Sequence, residues 1–409
     1  MTDTSGTAPV LPRPIENAHR ITSDEAAIAA AHLLAEVFAE DASQRDRDRQ
    51  LPWAELDRYS ASGLGAITVP REYGGADVSY VTLAEVFRIL SVADPALGQI
   101  PQNHFGVLGV IRELATPAQK KRIYAQILAG QRLGNAGPER GTPTILHQTT
   151  TLSTEQGKLR LHGTRFYSTG ALFAHWIPTR ALDEQQRSVQ VLVARDTPGV
   201  EVVDDWNGFG QRTTASGTVK FNQVAVDPDN VLPVWQLADR PGLSGPVSQL
   251  IHAAIDTGIA RAAIDDTIRY VREKSRPWID SGLERASDDP YTLHAIGRLQ
   301  IDLHATEEIL REAAAEIDTI AAAPITAESS ARASVAVAHA KILSTEIALQ
   351  ASEKLFELAG SSATRAAPNL GRHWRNARVH TLHDPVRWKY HLLGNYELNG
   401  ALPRRHQWN

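Results

Sequence analysis

The chain has 409 residues, no cysteine and one methionine, and 42 Lys+Arg against 47 Asp+Glu leave a formal charge of −5. Without cysteine there is no disulfide, no thiolate nucleophile and no cysteine-held zinc or iron–sulfur centre. The mild acidity offers no field for nucleic acid, and no apolar run reaches the roughly 18 residues of a membrane span. The N-terminus lacks the basic and apolar pattern of a signal peptide, so a cytoplasmic protein of two or three domains is expected.

Residues 1–20 are polar and Pro-rich and read as a flexible tail. Ser23 is a candidate N-cap, with Asp24 and Glu25 suited to the positive end of a helix. Helical spacing then recurs through Ile28, Ala31, Ala35 and Phe38, and again over about 53–62, 80–93, 103–115 and 117–129. Gly and Pro turn signals separate these segments, giving an N-terminal helical domain over 21–133. From Gly134 short β-rich runs appear: Leu159–Leu161, Gln190–Ala194, Val200–Val203 and Gly217–Phe221. They predict a middle antiparallel β-domain over 134–240. Helical periodicity returns over 248–278, 291–323, 326–360 and 374–396, predicting a C-terminal four-helix bundle within 241–409. The Ala-rich segment 326–360 carries apolar residues on more than one side, which suits packing against other subunits. The fold class is therefore α+β: helical domain, β-domain, helical bundle. There is no GxGxxG and no GxxxxGK[ST], so any nucleotide or flavin must bind without those loops.

Four stretches carry candidate chemistry. Gln102-Asn103-His104 opens a helix after Pro101; His104 is either a half-exposed residue beside a cap or a pocket-wall residue able to move a proton. The stretches 134–142 (GNAGPERGT) and 165–170 (RFYSTG) expose backbone groups and short polar side chains, which either make ordinary turns or grip a planar heterocycle. Residues 205–221 (DWNGFGQRTTASGTVKF) set Trp206 and Phe209 among glycines, either as core or as an aromatic wall. Finally, His373, His380, His383 and His391 fall within 19 residues, with His383-Asp384-Pro385 among them. A metal site is one reading, but Pro385 should break the helix and no i, i+4 His pair with a third carboxylate emerges. A general acid/base at His383 and a purely structural hydrogen-bonding role remain open.

Together these motifs resemble the acyl-CoA dehydrogenase superfamily over about residues 23–400: VPREYGGADVSY (69–80), GNAGPERGT, RFYSTG, GFGQRTTASGTVKFNQVAVDPDNVL and the closing EKLFELAGSS and RHWRNARVHTLHDP. Two departures matter. Asp384 stands where the dehydrogenases carry the glutamate that removes the substrate proton, and the FAD-adenosine signatures read Lys274-Ser275-Arg276-Pro277-Trp278 and Leu358-Ala359-Gly360-Ser361. Those departures resemble the flavin-dependent monooxygenase subgroup, which includes dibenzothiophene monooxygenases and sulfur-acquisition oxidoreductases. The resemblance implies a two-component monooxygenase using reduced FMN delivered by a separate NAD(P)H-dependent flavin reductase. It would oxygenate a small apolar, organosulfur substrate with O2 through a flavin C4a-hydroperoxide. It further implies Asn135, Tyr167, Ser168 and Trp206 around the flavin, Arg276 on its phosphate, His383 as acid/base, His104 as a second contact, no metal, and a homotetramer. The alternative is an FAD-dependent acyl-CoA dehydrogenase with Asp384 as base.

Overall fold

The computed structural model describes residues 10–409 except 14, 16, 145, 146 and 239. Residues 1–9, 14 and 16 of the expected tail lie outside the described residues; the rest of it up to Arg20 holds no helix or strand.

Seven helices come first: α1 (Asp24–Glu40), α2 (Ala42–Asp48), α3 (Trp53–Ser62), α4 (Tyr80–Ala93), α5 (Pro95–Gln99), α6 (Gln102–Leu114) and α7 (Pro117–Leu128). Local chemistry sets their ends. The Ser23 hydroxyl accepts from Ala26 N–H at the start of α1, and Asp94 accepts from Ala96 and Leu97 N–H to start α5, with Pro95 at its first position. Thr116 and Gln119 cap α7 reciprocally.

Seven strands follow: β1 (Thr151–Glu155), β2 (Lys158–Arg165), β3 (Trp176–Leu182), β4 (Ser188–Ala194), β5 (Val200–Val203), β6 (Thr218–Val226) and β7 (Val231–Leu232). They form one sheet in the order β5-β6-β2-β1-β3-β4-β7. The sheet is mixed rather than wholly antiparallel. After the β1–β2 hairpin, the loop 166–175 carries the chain to the far edge of β1, so β3 runs parallel to β1 at Thr151–Leu182. Every other pairing between these strands is antiparallel, and two isolated parallel bridges join Leu133 and Ala136 to β3.

The C-terminal helices are α8 (Ser244–Glu273), α9 (Pro290–Ala321), α10 (Ala327–Ala359), α11 (Gly371–His380) and α12 (Arg387–Asn399). The segment expected as a single shorter fourth helix is two, because Pro385 cannot continue the backbone ladder. His383 sits in the break, at residues 381–386. Helix α10 packs on α8, α9, α11 and α12, while α4 packs on both α8 and α9. One apolar core therefore runs from the N-terminal helices into the bundle, through residues such as Phe87, Leu90, Ile255, Ile259, Leu303 and Val337. The sheet keeps its own core around Leu161, Ile177, Val191 and Phe221. No helix among the described residues is long and apolar enough to cross a membrane.

Candidate active site

The end of α5 is wedged between the sheet loops and the bundle. The Gln99 side-chain amide meets His383 Nε2 at 3.0 Å. On the next residue, Ile100, the loop glycine Gly170 sits so close that a Cβ there would lie 3.2 Å from its side chain. The loop 166–170 and the α11–α12 break thus both approach the C-terminal end of one short helix. The polar residues after Pro101 tie the same region together: Gln102 donates to Ser248 Oγ at 3.2 Å and Asn103 to Gly134 O at 3.2 Å.

The sheet side of this junction is built from two loops. Tyr167 takes a left-handed φ of 54°, which turns its ring outward, and it meets Trp206 edge-on at 6.2 Å between centroids. Asn135 Nδ2 donates to Tyr167 O at 3.4 Å. Ser168 is buried, its N–H donates to Gly217 O at 3.1 Å, and its Oγ has no partner among the described residues. Trp206 is held by its indole N–H on Gln211 O at 2.9 Å. Gln211 N–H in turn donates to Asn376 Oδ1 of α11 at 2.7 Å, while the buried Gln211 side-chain amide is unpartnered. Asn135, Tyr167, Ser168 and Trp206 are therefore brought to one place. Ser168, next to Tyr167 in the loop, offers a buried hydroxyl without a partner among the described residues, and the paired Tyr167 and Trp206 rings offer an aromatic surface; a planar, polar-edged heterocycle can use both.

The bundle side centres on His383. Its Nδ1 lies 2.6 Å from His380 O, a pure acceptor, so the proton sits on Nδ1 and Nε2 is the basic atom, facing the Gln99 amide. Burial and the neighbouring His380 push His383 below its ordinary value, to about 3. His383 is nevertheless an exposed residue, and water there offsets part of that shift. The resting imidazole is neutral.

Behind His383 lies a buried polar row. His252 and Asp256 are four residues apart on α8 and so share a face. Asp256 takes Lys341 of α10 on one oxygen at 2.7 Å and His380 Nδ1 on the other at 2.6 Å. His380 Nε2 then lies 3.2 Å from His252 Nδ1. Burial alone would raise the Asp256 carboxyl, but Lys341 and His380 bring it down to about 2. The nitrogens of His252, His380 and His383 lie within 4.8 Å of one another, close enough to be considered for a metal. Hydrogen bonds already engage every ring nitrogen of the three except His252 Nε2, and Lys341 keeps an ammonium on the shared carboxylate, so hydrogen bonds hold the cluster together.

The other expected residues stand apart. His104 is buried with Nε2–H on Gly65 O at 2.7 Å and Nδ1 accepting from Leu133 N–H at 3.0 Å. Both ring nitrogens are spent on backbone, which is the structural alternative. Among the described residues Asp384 is buried with both oxygens lacking hydrogen bonds, and it pairs with Lys389 Nζ at 3.9 Å. Arg276 is exposed on the segment after α8, and no hydrogen bond among the described residues joins it to the others. His373 binds Asp266 at 2.7 Å and fastens α11 to α8, while His391 is exposed against Trp388. His252, Asp256, Lys341 and Gln99 were not anticipated. A usable signal existed for two of them: His252 and Asp256 interrupt the apolar face of α8 at helical spacing.

Residues 23–131 match the acyl-CoA dehydrogenase N-terminal domain and residues 250–388 the acyl-CoA dehydrogenase C-terminal domain. Dibenzothiophene monooxygenase of Rhodococcus qingshengii is 33% identical over 399 residues, covering 94% of this chain and 96% of that protein. A Pseudomonas putida protein named "Probable FMNH2-dependent monooxygenase SfnC" is 30% identical, covering 95% and 98%. Among solved structures, FMN-bound TdsC from Paenibacillus sp. A11-2 superposes with a TM-score of 0.89 at 32% identity, covering 94% of this chain and 100% of that one.

Proposed function

Since the chain belongs to the acyl-CoA dehydrogenase superfamily, within its flavin monooxygenase branch, we propose that it is the oxygenase of a two-component, FMNH2-dependent system acting on an organosulfur substrate. Reduced FMN, when bound, supplies two electrons to O2, so that one oxygen atom reaches sulfur and the other leaves as water. The observation that carries the reading is the buried, partnerless Ser168 hydroxyl beside Asn135, Tyr167 and Trp206. These four residues would hold the flavin ring at the junction of loops and helices, the bound flavin itself covering the exposed Tyr167 ring. His383 takes and returns one proton at Nε2, with Nδ1 pinned to backbone so that only one nitrogen is in play. Arg276, exposed and not engaged by a carboxylate among the described residues, is the group for the FMN phosphate. The geometry favours a structural role for His104. It gives the dehydrogenase alternative little support, because Asp384 is buried beside Lys389 rather than presented as a base.

A separate NAD(P)H-dependent flavin reductase supplies the reduced flavin, and the setting is cytoplasmic. Trp278 at 68% exposure, Ile279 at 85%, Tyr291 at 84% and Leu398 at 84% are apolar surface that a homotetramer would cover. A solution mass near the 44.6 kDa of one chain would refute that assembly.

The test of function combines the protein with FMN, NADH, a generic flavin reductase and air, using dibenzothiophene and methanesulfinate as probes. The expected result is a product heavier by one oxygen atom, labelled from 18O2. If all reducing equivalents end as hydrogen peroxide with both probes, the organosulfur reading fails. If an acyl-CoA instead bleaches bound FAD anaerobically, the enzyme is a dehydrogenase.

A further inference from the structure

The row Lys341–Asp256–His380–His252 is longer than the fold needs. A single buried ion pair would tie α8 to α10, and replacing such a pair by apolar residues is often neutral or stabilising. Here the carboxylate is shared with an imidazole, and that imidazole with a second. Lys341, Asp256 and His380 have no exposed side-chain surface, and His252 is 6% exposed.

Charge and donor rules fix the protons. Asp256 is ionised against Lys341, so it accepts from His380 Nδ1–H. His380 Nε2 then carries a lone pair, and His252 Nδ1–H donates to it. That leaves His252 Nε2 as a basic atom at the open end of the row. A proton arriving at His252 Nε2 lets the Nδ1 proton pass to His380 Nε2. The charge then rests on His380, against the Asp256 carboxylate. One proton enters, none is lost, and no electrons move.

The row reaches His383 in two ways. The His380 carbonyl is the acceptor that fixes the His383 tautomer. The His252 and His383 rings lie 4.6 Å apart at 37°. A positive charge within the row therefore disfavours a second one on His383 and speeds release of the proton it holds.

We infer that Asp256, His380 and His252 form a buried proton-holding relay that positions His383 and sets its protonation state. They are positioning residues, and the inference rests on the oxygenase reading for its role in turnover. The charged and titratable groups facing the relay are His252 and Asp256 on α8, Lys341 on α10 and His380 on α11. His383 and Asp384 face it from the break, and Lys389 from α12. Burial first, then His383 and His380, hold His252 well below its ordinary value, which keeps the open end neutral at rest.

The test uses Asp256→Asn combined with Lys341→Met, so that neither charge is left alone in the core. Thermal melting and FMN titration establish that the variant folds and binds flavin within about twofold of the parent. Asp256→Glu alone serves as the conservative control. Two readouts follow. Nitrogen-15 spectra of the ring nitrogens, taken without flavin, should show His380 locked with its proton on Nδ1 in the parent and in the Asp256→Glu control. The double variant should show a mixture of tautomers. The pH profile of product formed per NADH should move upward in the double variant, because without the Asp256 carboxylate His380 no longer holds an arriving proton next to His383, while the losses of Lys341 and of Asp256 themselves act on His383 in opposite directions. A parent spectrum with no fixed His380 tautomer overturns the relay whether or not any oxygenation is found. Superimposable pH profiles in a folded, flavin-binding variant also overturn it. A parent that oxygenates nothing but shows the locked tautomer counts against the oxygenase reading and leaves the relay standing.

Discussion

Ser168 places a hydroxyl in the interior with no hydrogen-bond partner among the described residues. An unmet buried polar group of this kind costs about 1–3 kcal/mol. Ser168→Ala should therefore melt at the same temperature as the parent or higher, while binding reduced FMN more weakly and forming less product per NADH. A variant that loses stability, or one that binds FMN as tightly as the parent, would remove Ser168 from the flavin site. His383 was as legible as Ser168, because Pro385 marks a helix break and a histidine in a break is free of helical side-chain packing. Lys341 and Asp256 were not legible. Each lies in an Ala- or Ile-rich helix where a lone charge reads as a surface position, and only the crossing of α8 and α10 makes them partners. His104 misled for the opposite reason: the backbone groups that occupy its nitrogens, Gly65 and Leu133, are 39 and 29 residues away in sequence.

Elements were easier to anticipate where the pattern was long. Helices α8, α9 and α10 span 30, 32 and 33 residues, so their apolar period repeats many times and fixes them. Strand β1 is polar (TLSTE) and β3 contains Pro178, and neither pattern announces a strand. The sheet nevertheless recruits them, since β1 pairs along its whole length with β2, and β3 with β4. What the site demands of its elements is close approach between the loop around 205–216 and helix α11. Gly210 is the contact point: a Cβ there would lie 1.9 Å from Arg375 O, inside the backbone of α11. Arg375 also donates to Phe209 O at 2.9 Å, and Phe209 stacks on Trp374 at 5.9 Å. Gly210→Ala cannot be accommodated by moving a side chain, so the loop must lift, taking Gln211 and the Trp206 indole with it. The expected loss is about 1–3 kcal/mol of stability, with a larger loss of FMN affinity than Ser168→Ala gives. Equal melting temperature and equal FMN affinity in that variant would mean that the loop does not rest on α11.

At the scale of the whole molecule, three helical and sheet units are joined by buried groups that must stay uncharged, and this sets the response to acid. His104 bridges α6 to Gly65 and Leu133, and His373 bridges α11 to Asp266 of α8. Burial, with Arg132 beside the first and Arg372 beside the second, holds each imidazole at about 4 against an ordinary 6.5. For His104 the reason is visible in the hydrogen bonds, because a proton on Nδ1 would break the bond from Leu133 N–H. Between pH 6.5 and 4 the unfolded chain binds protons at these positions that the folded chain refuses. The unfolded state therefore gains as pH falls, and stability rises with pH across that window. Each such histidine contributes up to about 1.4 kcal/mol per pH unit. Asp94, which burial holds above the ordinary carboxylate range despite Arg45, takes its proton first in the folded state and opposes the trend near the lower end. Asp256, at about 2, acts below the window and does not contribute to it. Chemical denaturation measured from pH 7.5 to 4.5 should show stability nearly level above 7 and falling steeply below 6.5. His373→Gln keeps an N–H for Asp266 but cannot titrate, so its slope between pH 6 and 4.5 should be smaller by close to one proton. A slope unchanged in that variant would mean that His373 takes up its proton in the folded state as readily as in the unfolded one, and that α11 is not held to α8 by a neutral imidazole.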